Sequence, residues 1–504
     1  MMKLKRLRQS IAATIFIFLT LAFLGLDFLP HRIYGALAHF QLIPGIVGIL
    51  TGAGLMFAVS TVIILILTLL FGRVYCSHLC PMGIFQDLLA KVFFQKKQQK
   101  IHAWQGILAK IIFILVLIFS AIGSLWLLNI LDPYSLFGKL FSTIFRPVFY
   151  MINNLIVNIL HHFDNYSVSV LKYGLISGSL LFFSATMLVL FLGTSFYQKR
   201  FFCTTLCPAG QFLSLFTNHS LFKIHLNGDK CINCSACKRV CKTDCIDYKN
   251  NQIDNRACVT CFNCIDSCPT GAITFSRKKL TTKFQPARRE WLQNSGLAAT
   301  FLLPLLFRKK IKEKWTPSQP PVMPPGAKNI HHFTESCTAC QLCITHCPTK
   351  VLKPAFFQYG LTGLFQPYLD FDFAYCQYEC NTCTDICPSD ALQPLNMETK
   401  KLTQLGTVEL KTDLCVVYKN HTDCGACAEG CPTHAVYTEM TDNVNYPKTR
   451  LDICIGCGVC QNMCPVTPKA IIVHANEEQI IAKKPFHDEN PRQPANSSDD
   501  DFPF

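Results

Sequence analysis

The sequence predicts an α-helical multi-pass membrane domain followed by three small tandem α+β modules organised around cysteine. Three observations lead there. The chain up to residue 215 is apolar and holds four cysteines, whereas the other 25 of the 29 come later. Those 25 recur in short runs of regular spacing. The N-terminal part repeats apolar stretches near the roughly 20 residues that a bilayer-spanning helix requires.

Composition excludes two ordinary readings. Disulfide frameworks suit small secreted domains, and an odd total of 29 cysteines in 504 residues would leave one unpaired. The formal charge of +15 does not indicate nucleic acid, because the basic residues gather beside apolar segments rather than on one patch. Metal ligation remains.

Four stretches read as spans: Ile11 to Phe28, Ile43 to Phe71, Ile107 to Leu131 and Tyr173 to Phe196. The first begins with Lys3, Lys5, Arg6 and Arg8 but lacks a small-residue cleavage site, so it reads as an anchor. The N-terminus, the loop with Arg73, Lys91, Lys96, Lys97 and Lys100, and the exit at Lys199 and Arg200 are the basic, cytoplasmic sides. Leu136 to Phe163 reads as an amphipathic interfacial stretch. Residues 1–215 thus form a four-helix transmembrane domain.

Two of the spans end alike. "YCSHLCPMG" carries Cys76 and Cys80, and "FFCTTLCPAG" carries Cys203 and Cys207, a repeated C-x3-C-P-x-G that brings four thiols to one face. Soft thiolates select Cu(I) or iron–sulfur, so these four are a candidate redox or metal motif; the bland alternative is helix-end packing. His78 between the first pair reads as an interfacial polar residue.

Cys231, Cys234, Cys237 and Cys241 form C-x2-C-x2-C-x3-C, repeated at Cys258, Cys261, Cys264 and Cys268. That spacing is a [4Fe–4S] signature in which the fourth cysteine of each run ligates the other cluster. One cluster is therefore expected on Cys231, Cys234, Cys237 and Cys268, the other on Cys258, Cys261, Cys264 and Cys241. This module occupies residues 216–284. The next pair of runs gives Cys337, Cys340, Cys343 and Cys387, then Cys376, Cys380, Cys383 and Cys347. The last gives Cys415, Cys424, Cys427 and Cys464, then Cys454, Cys457, Cys460 and Cys431. Two of these runs are opened, to C-x3-C at Cys376 and to a gap of eight residues after Cys415, without losing a ligand. Six clusters result, and zinc fits such compact runs poorly. Cys245 is left over and is expected to fill an alanine-sized place like that of Ala272. The first run has Lys242 where the others have proline, which weakens its expected turn. Short apolar pieces at Ala272 and Ala470 read as strands.

With these motifs in hand, residues 1 to about 280 resemble the NapH-type membrane ferredoxins of nitrate reductase systems and their relatives in nitrous-oxide and copper-oxidase maturation. Residues from about 285 to 475, with "PPGAKNIHHFTESCTACQLC" and "YPKTRLDICIGCGVCQNMCP", are similar to NapG- and MauM-type four-cluster ferredoxins. The resemblance implies a fusion acting in anaerobic respiration as a quinol dehydrogenase, an oxidoreductase component that passes electrons from the membrane quinone pool to a reductase or cytochrome. A maturation protein that reduces copper through the C-x3-C-P thiols is the alternative. Arg288-Arg289-Glu290-Trp291-Leu292 and the apolar run to Phe307 resemble a twin-arginine signal, here internal, which would carry residues 329–475 to the periplasmic side; the alternative, which the basic residues from Arg308 to Lys314 favour, is an interfacial helix with everything cytoplasmic. Residues 285–328 are then this segment plus a Pro-rich linker, and 476–504 a polar disordered tail. Candidates for quinol contact are Asp27, His31, His161, His162 and Asp164, ionisable groups beside spans. No Gly-rich dinucleotide fingerprint follows a strand, so neither flavin nor nicotinamide is indicated.

Overall fold

The computed structural model describes residues 2–26, 30–52, 54–93, 103–171, 178–217, 219–277 and 320–485. Its N-terminal part is a layer of helices. α1 (Met2–Leu24) starts with basic residues and stops where Gly25 turns left-handed at φ +70°. α2 (His31–His39) and α3 (Leu42–Leu50) form a pair bent by 84°. α4 (Leu55–Phe71) follows.

The expected single span from Ile43 to Phe71 is therefore two helices. Gly52, at φ +77°, reverses the chain, and α3 folds back along α4. The close approach needs glycine: a Cβ on Gly45 would meet Thr61 Oγ1 at 2.5 Å, and one on Gly48 the Phe57 ring at 2.6 Å. Next come α5 (Tyr75–His78), α6 (Pro81–Phe93) and α7 (Ala103–Ile122). α7 stops short of the expected Leu131 because Gly123 breaks it at φ +92°, and α8 (Trp126–Leu131) is separate.

The stretch read as interfacial is instead partly core. α9 (Pro133–Leu140), a π-turn at Phe141–Phe145 and α10 (Arg146–His162) run on as one apolar helix of 30 residues. Pro147 has no N–H to give the preceding turn, and the wide turn absorbs that loss while rotating the helix face. Thus Leu136, Phe137 and Leu140 are buried, whereas Met151, Leu155 and Ile159 are exposed. α11 (Gly178–Tyr197) and α12 (Pro208–Thr217) complete the layer. Among the described residues four helices are long and apolar enough to cross a membrane, Leu4–Leu24, Trp104–Ile122, Pro133–His162 and Gly178–Phe196, or five if the bent pair α2 and α3 counts as one span.

The cysteine-rich part is made of short antiparallel pairs. β1 (Phe222–Leu226) pairs β4 (Ile273–Arg277) around an inner pair, β2 (Ile246–Asp247) with β3 (Gln252–Ile253). The last unit repeats this plan with β7 (Thr403–Leu410) on β10 (Ile471–Ile481) outside, and β8 (Val436–Thr441) on β9 (Val444–Thr449) inside. The middle unit has β5 (Leu352–Pro354) on β6 (Pro367–Leu369). Among the described residues its outer pair is replaced by the helix Ile330–Ser336 and the segment before it.

Two boundaries move. Residues 320–327, expected to be linker, are packed: Met323 and Ala327 are buried, and Val322 and Gly326 accept backbone hydrogen bonds from Leu369 and Gln393. Strand β10 continues past residue 475, and Glu478 bridges Asn329. The twin-arginine-like segment and the last residues from 486 lie outside the described residues.

The two cysteine-rich parts sit at opposite ends of the helical layer. At the start of α1, Lys5 pairs with Asp266 of the first module at 2.6 Å. Beside it, Thr260 donates to Phe71 O at the end of α4. At the far end of α1, His346 of the second module contacts Ala22 O at 2.8 Å, while Asn129 and Ser135 donate to the carbonyls of Cys337 and Thr338. Lys5 and Ala22 are 17 residues apart, about 26 Å of helix at roughly 1.5 Å per residue.

Candidate metal centres

Each regular run wraps by the same backbone device. The residues on either side of its second cysteine are left-handed: Asn233 and Ser235, Thr260 and Phe262, Ala339 and Gln341, Gly456 and Gly458. Non-glycine residues hold such angles at a cost of roughly 1–3 kcal/mol each only where surroundings impose them. Alternating hands turn successive N–H groups inward as a nest for an anion. Glycine stands in the last run because Gly458 abuts the Phe371 ring and Gly456 the Gly406 backbone. The two opened runs, at Cys376 and Cys415, lack this paired turn.

The sulfurs gather in the exchanged sets. One cavity is lined by Cys241, Cys258, Cys261 and Cys264, a second by Cys347, Cys376, Cys380 and Cys383, a third by Cys415, Cys424, Cys427 and Cys464. Cys343 lies within electrostatic reach of Cys337, Cys340 and Cys387, and Cys460 of Cys454, Cys457 and Cys431. Cys237 is likewise near Cys231 and Cys234, and Cys268 packs in the same core. Among the described residues no three His, Cys, Asp or Glu groups converge on a single-ion position. Sulfurs ringing a cavity suit a cubane, which presents four separate iron corners, and this is the arrangement that the donor set fits.

Burial pushes the thiols of Cys376 and Cys427 up to about 11 and those of Cys340 and Cys457 up to about 12, with neighbouring thiols adding to the shift. Such sites surrender their protons only to a cationic metal core, so metal and fold are coupled. A hydroxyl stands two residues beyond the fourth cysteine in five runs: Thr243, Thr270, Thr349, Ser389 and Thr433 lie 3.7–4.0 Å from that sulfur. The turn after Cys241 survives the missing proline, because Asp244 takes the left-handed place that Gly271, Lys350, Asp390 and His434 hold elsewhere. Cys245 is buried in the module core as expected, and its sulfur lies 3.5 Å from that of Cys241 and lines the same cavity.

Between the third and second modules, Cys376 N–H donates to Cys457 O at 2.9 Å, which makes those two sets neighbours. The opposite side of the second module meets the helices, where one continuous apolar core contains Cys340, the set Cys76, Cys80, Cys203 and Cys207, and Cys261 of the first module.

The four helix-end cysteines gather in one buried core. All are buried, and Cys80 and Cys207 each lie within electrostatic reach of both Cys76 and Cys203. What the sequence reading missed is the arginine three residues before each pair. Arg73 donates to Cys203 O at 3.1 Å and Arg200 to Cys76 O at 3.0 Å, so each half holds the other's first cysteine. A Cβ on Gly83 or Gly210 would strike those same carbonyls at 2.4 and 2.6 Å. The signal was present as R-x2-C-x3-C-P-x-G occurring twice. Asp87 anchors the assembly, accepting from Arg200 at 2.7 and 2.9 Å and pairing with Arg8 and Lys242. Burial opposes its charge, but Arg200 and Lys242 overcome that and hold its carboxyl well below the usual range. Cys203 Sγ donates to the buried Gln86 Oε1 at 3.0 Å.

The remaining candidates disperse. His161, His162 and Asp164 are exposed at the end of α10, and Asp27 lies outside the described residues. His31 is at the opposite end of the layer from the first module, its ring 5.3 Å from that of His346. His78 contacts Ser77 and Val74 O, and burial lowers its pKa to about 4, which leaves a neutral imidazole.

Two family models match. One, described as a 4Fe-4S binding domain, matches residues 53–101 and 180–227, the two C-x3-C-P repeats. The other, a 4Fe-4S dicluster domain, matches residues 257–351 and so joins two runs that the structure places in different modules. The chain is similar to an uncharacterized protein of Methanocaldococcus jannaschii, 25% identical over 43% of this chain and 76% of that protein. It is 26% identical to the ferredoxin-type protein NapF of Escherichia coli K12 over 31% of this chain and 86% of NapF. The methylamine utilization ferredoxin-type protein MauM of Methylorubrum extorquens is 30% identical over 38% of this chain and 90% of MauM.

Proposed function

This chain belongs to the family of ferredoxin-type iron–sulfur electron-transfer proteins that includes MauM, and on that premise we propose that it is a membrane-bound component of quinol-dehydrogenase type. It joins a NapH-type membrane part to a NapG/MauM-like part in one polypeptide. Six [4Fe–4S] clusters occupy the exchanged cysteine sets, and Cys76, Cys80, Cys203 and Cys207 hold a further redox centre. When bound, such clusters accept and release single electrons. The protein's own contribution is to hold them in sequence, exclude water and fix the order of neighbours.

One observation carries the reading: the apolar core that runs unbroken from Cys261 through the four helix-end cysteines to Cys340. It links modules separated by about 26 Å along α1, close to the roughly 30 Å of a hydrocarbon core. A further centre in between divides that distance. Iron–sulfur is favoured over copper there because the matching family model is a 4Fe-4S binding domain and because Arg73 and Arg200, both buried, offset an anionic core.

The same separation supports a first module on the cytoplasmic side and a C-terminal part on the periplasmic side of the cytoplasmic membrane. Arg277 and Pro320, which border the connecting stretch, belong to units at opposite ends of the layer, and that stretch contains the apolar run up to Phe307. The electron acceptor is a reductase or cytochrome on the second side. The test is anaerobic addition of a short-tail quinol to the purified, oxidised full-length protein. Bleaching of the iron–sulfur absorption is expected; bleaching by dithionite alone refutes the donor assignment.

A further inference from the structure

Of the 29 cysteines, Cys234 alone is exposed. It is the second cysteine of its run, and its counterparts in the other regular runs, Cys261, Cys340 and Cys457, keep 7–8% of their surface. Each counterpart meets the next body in the molecule. Cys261 belongs to the core of the helical layer. Cys340 O abuts Gly138 of α9, and Cys457 O accepts from Cys376 N–H of the second module. The loop from Cys231 to Ser235 differs: among the described residues its hydrogen bonds stay within its own module.

The rest of its set is open on the same side. Cys231 and Cys268 are partly exposed, and Ile232 keeps 64% of its surface. Thr270 donates to Lys230 O and so holds the two ligand loops together along this edge. The module's other set faces the helices, through Thr260 to Phe71 O and Lys242 to Asp87. The set with Cys234 therefore ends the series of centres on that side.

Charge separates this end from the far one. Residues 219–277 hold eight Lys and Arg against five Asp, whereas residues 403–485 of the third module hold seven against nine Asp and Glu. Around the Cys234 loop, from 227 to 240, Asp229 is the sole acid, set against Lys230, Lys238 and Arg239. Lys230 and Arg239 are exposed. Such a surface steers an acidic partner.

We propose that the edge formed by Cys234, Ile232 and the Cys268 loop docks a soluble, acidic one-electron carrier protein of the ferredoxin class, which feeds the series independently of quinol. Lys230 and Arg239 draw the carrier in, and Ile232 gives the apolar contact at the centre of a small interface, the size usual for transient electron-transfer encounters. The surface rests on the reading that the exchanged cysteine sets hold [4Fe–4S] clusters. One electron moves: the reduced carrier loses it, the centre on Cys231, Cys234, Cys237 and Cys268 gains it, and no bond or proton changes place.

The experiment uses the full-length protein in detergent under anaerobic conditions and an acidic plant-type [2Fe–2S] ferredoxin as probe. Binding of the oxidised probe is read by interferometry, and bleaching of the [4Fe–4S] absorption by the photoreduced probe is read by stopped flow. Both are expected, with the association rate falling as salt is raised. Lys230→Glu combined with Arg239→Glu should lower that rate about tenfold or more while iron content and bleaching by dithionite stay at wild-type values. Lys419→Glu combined with Lys448→Glu, exposed sites on the third module, should leave it unchanged. Binding indifferent to the first pair, binding lost with the second pair instead, or binding without bleaching overturns the proposal. Full iron content and bleaching by quinol with no response to the probe refute this surface alone, whereas iron-poor protein refutes the cluster reading beneath it.

Discussion

Replacing Asp87 by asparagine keeps its shape and removes one charge. In the wild type that carboxylate faces Arg200, Arg8 and Lys242, and the Arg200 side chain is fully buried. The variant leaves three cations with no anion, and removing one member of a buried ion pair costs about 3–5 kcal/mol. Asp87 keeps 15% of its side-chain exposure, which argues for the lower end, about 3 kcal/mol. At about 2–4 °C per kcal/mol for units of 150–250 residues, the melting midpoint should fall by roughly 6–12 °C. The assay is loss of the iron–sulfur absorption on heating the full-length protein in detergent. The pH dependence has a definite sign. A carboxyl held below its ordinary value of 3.8 contributes its stability fully above that value and loses it as pH falls toward the folded-state pKa. The gap between wild type and Asp87→Asn should therefore be constant from pH 5 to 8 and narrow below about pH 4. A variant melting within about 2 °C of wild type at pH 7, or a gap that closes near neutrality, refutes the network.

Cys241→Ala should cost about four irons and abolish the cluster of Cys258, Cys261 and Cys264, whereas Cys245→Ala should keep full iron content and shift only that cluster's spectrum; iron analysis with EPR separates them. Gly138→Ala puts a Cβ about 2.1 Å from Cys340 O, an overpacking worth about 1–3 kcal/mol. Faster hydrogen exchange in residues 337–347 with unchanged exchange in 403–481 is expected, and uniform exchange would count against the docking. A reporter fused after Phe504 should read the opposite side of the membrane from one in residues 94–100; the same side for both rejects the crossing. Arg73→Gln and Arg200→Gln should each loosen both cysteine pairs, detected as faster alkylation of Cys76 and Cys203 together, while independent changes would rule out the reciprocal hold.

The run spacing pointed to the exchanged cysteine sets through the pattern of two-cluster ferredoxins, and the structure lines shared cavities with sulfurs of those sets. The sequence also located most apolar helices, because about 20 residues of hydrocarbon are legible without any partner. Where it failed, the deciding force was packing between distant elements. The span expected across Ile43 to Phe71 breaks because small Gly45 and Gly48 let α3 lie against Thr61 and Phe57, a contact no hydropathy window contains. Leu136 to Phe163 looks interfacial by its one-sided pattern, but the π-turn before Pro147 turns one half to the core and leaves the other outward. The left-handed residues flanking the second cysteines follow no side-chain rule, since asparagine, serine, threonine, phenylalanine, alanine, glutamine and glycine all occupy them. Sequence by itself thus singled out the cysteine runs as candidate ligands and three of the four long apolar helices. Only tertiary structure decided that Arg73 and Arg200 clasp each other's cysteine, that the modules stand at opposite ends of α1, and that Cys234 is left exposed. Spacing is a local, covalent constraint, whereas partner choice and exposure arise from side chains brought together across hundreds of residues.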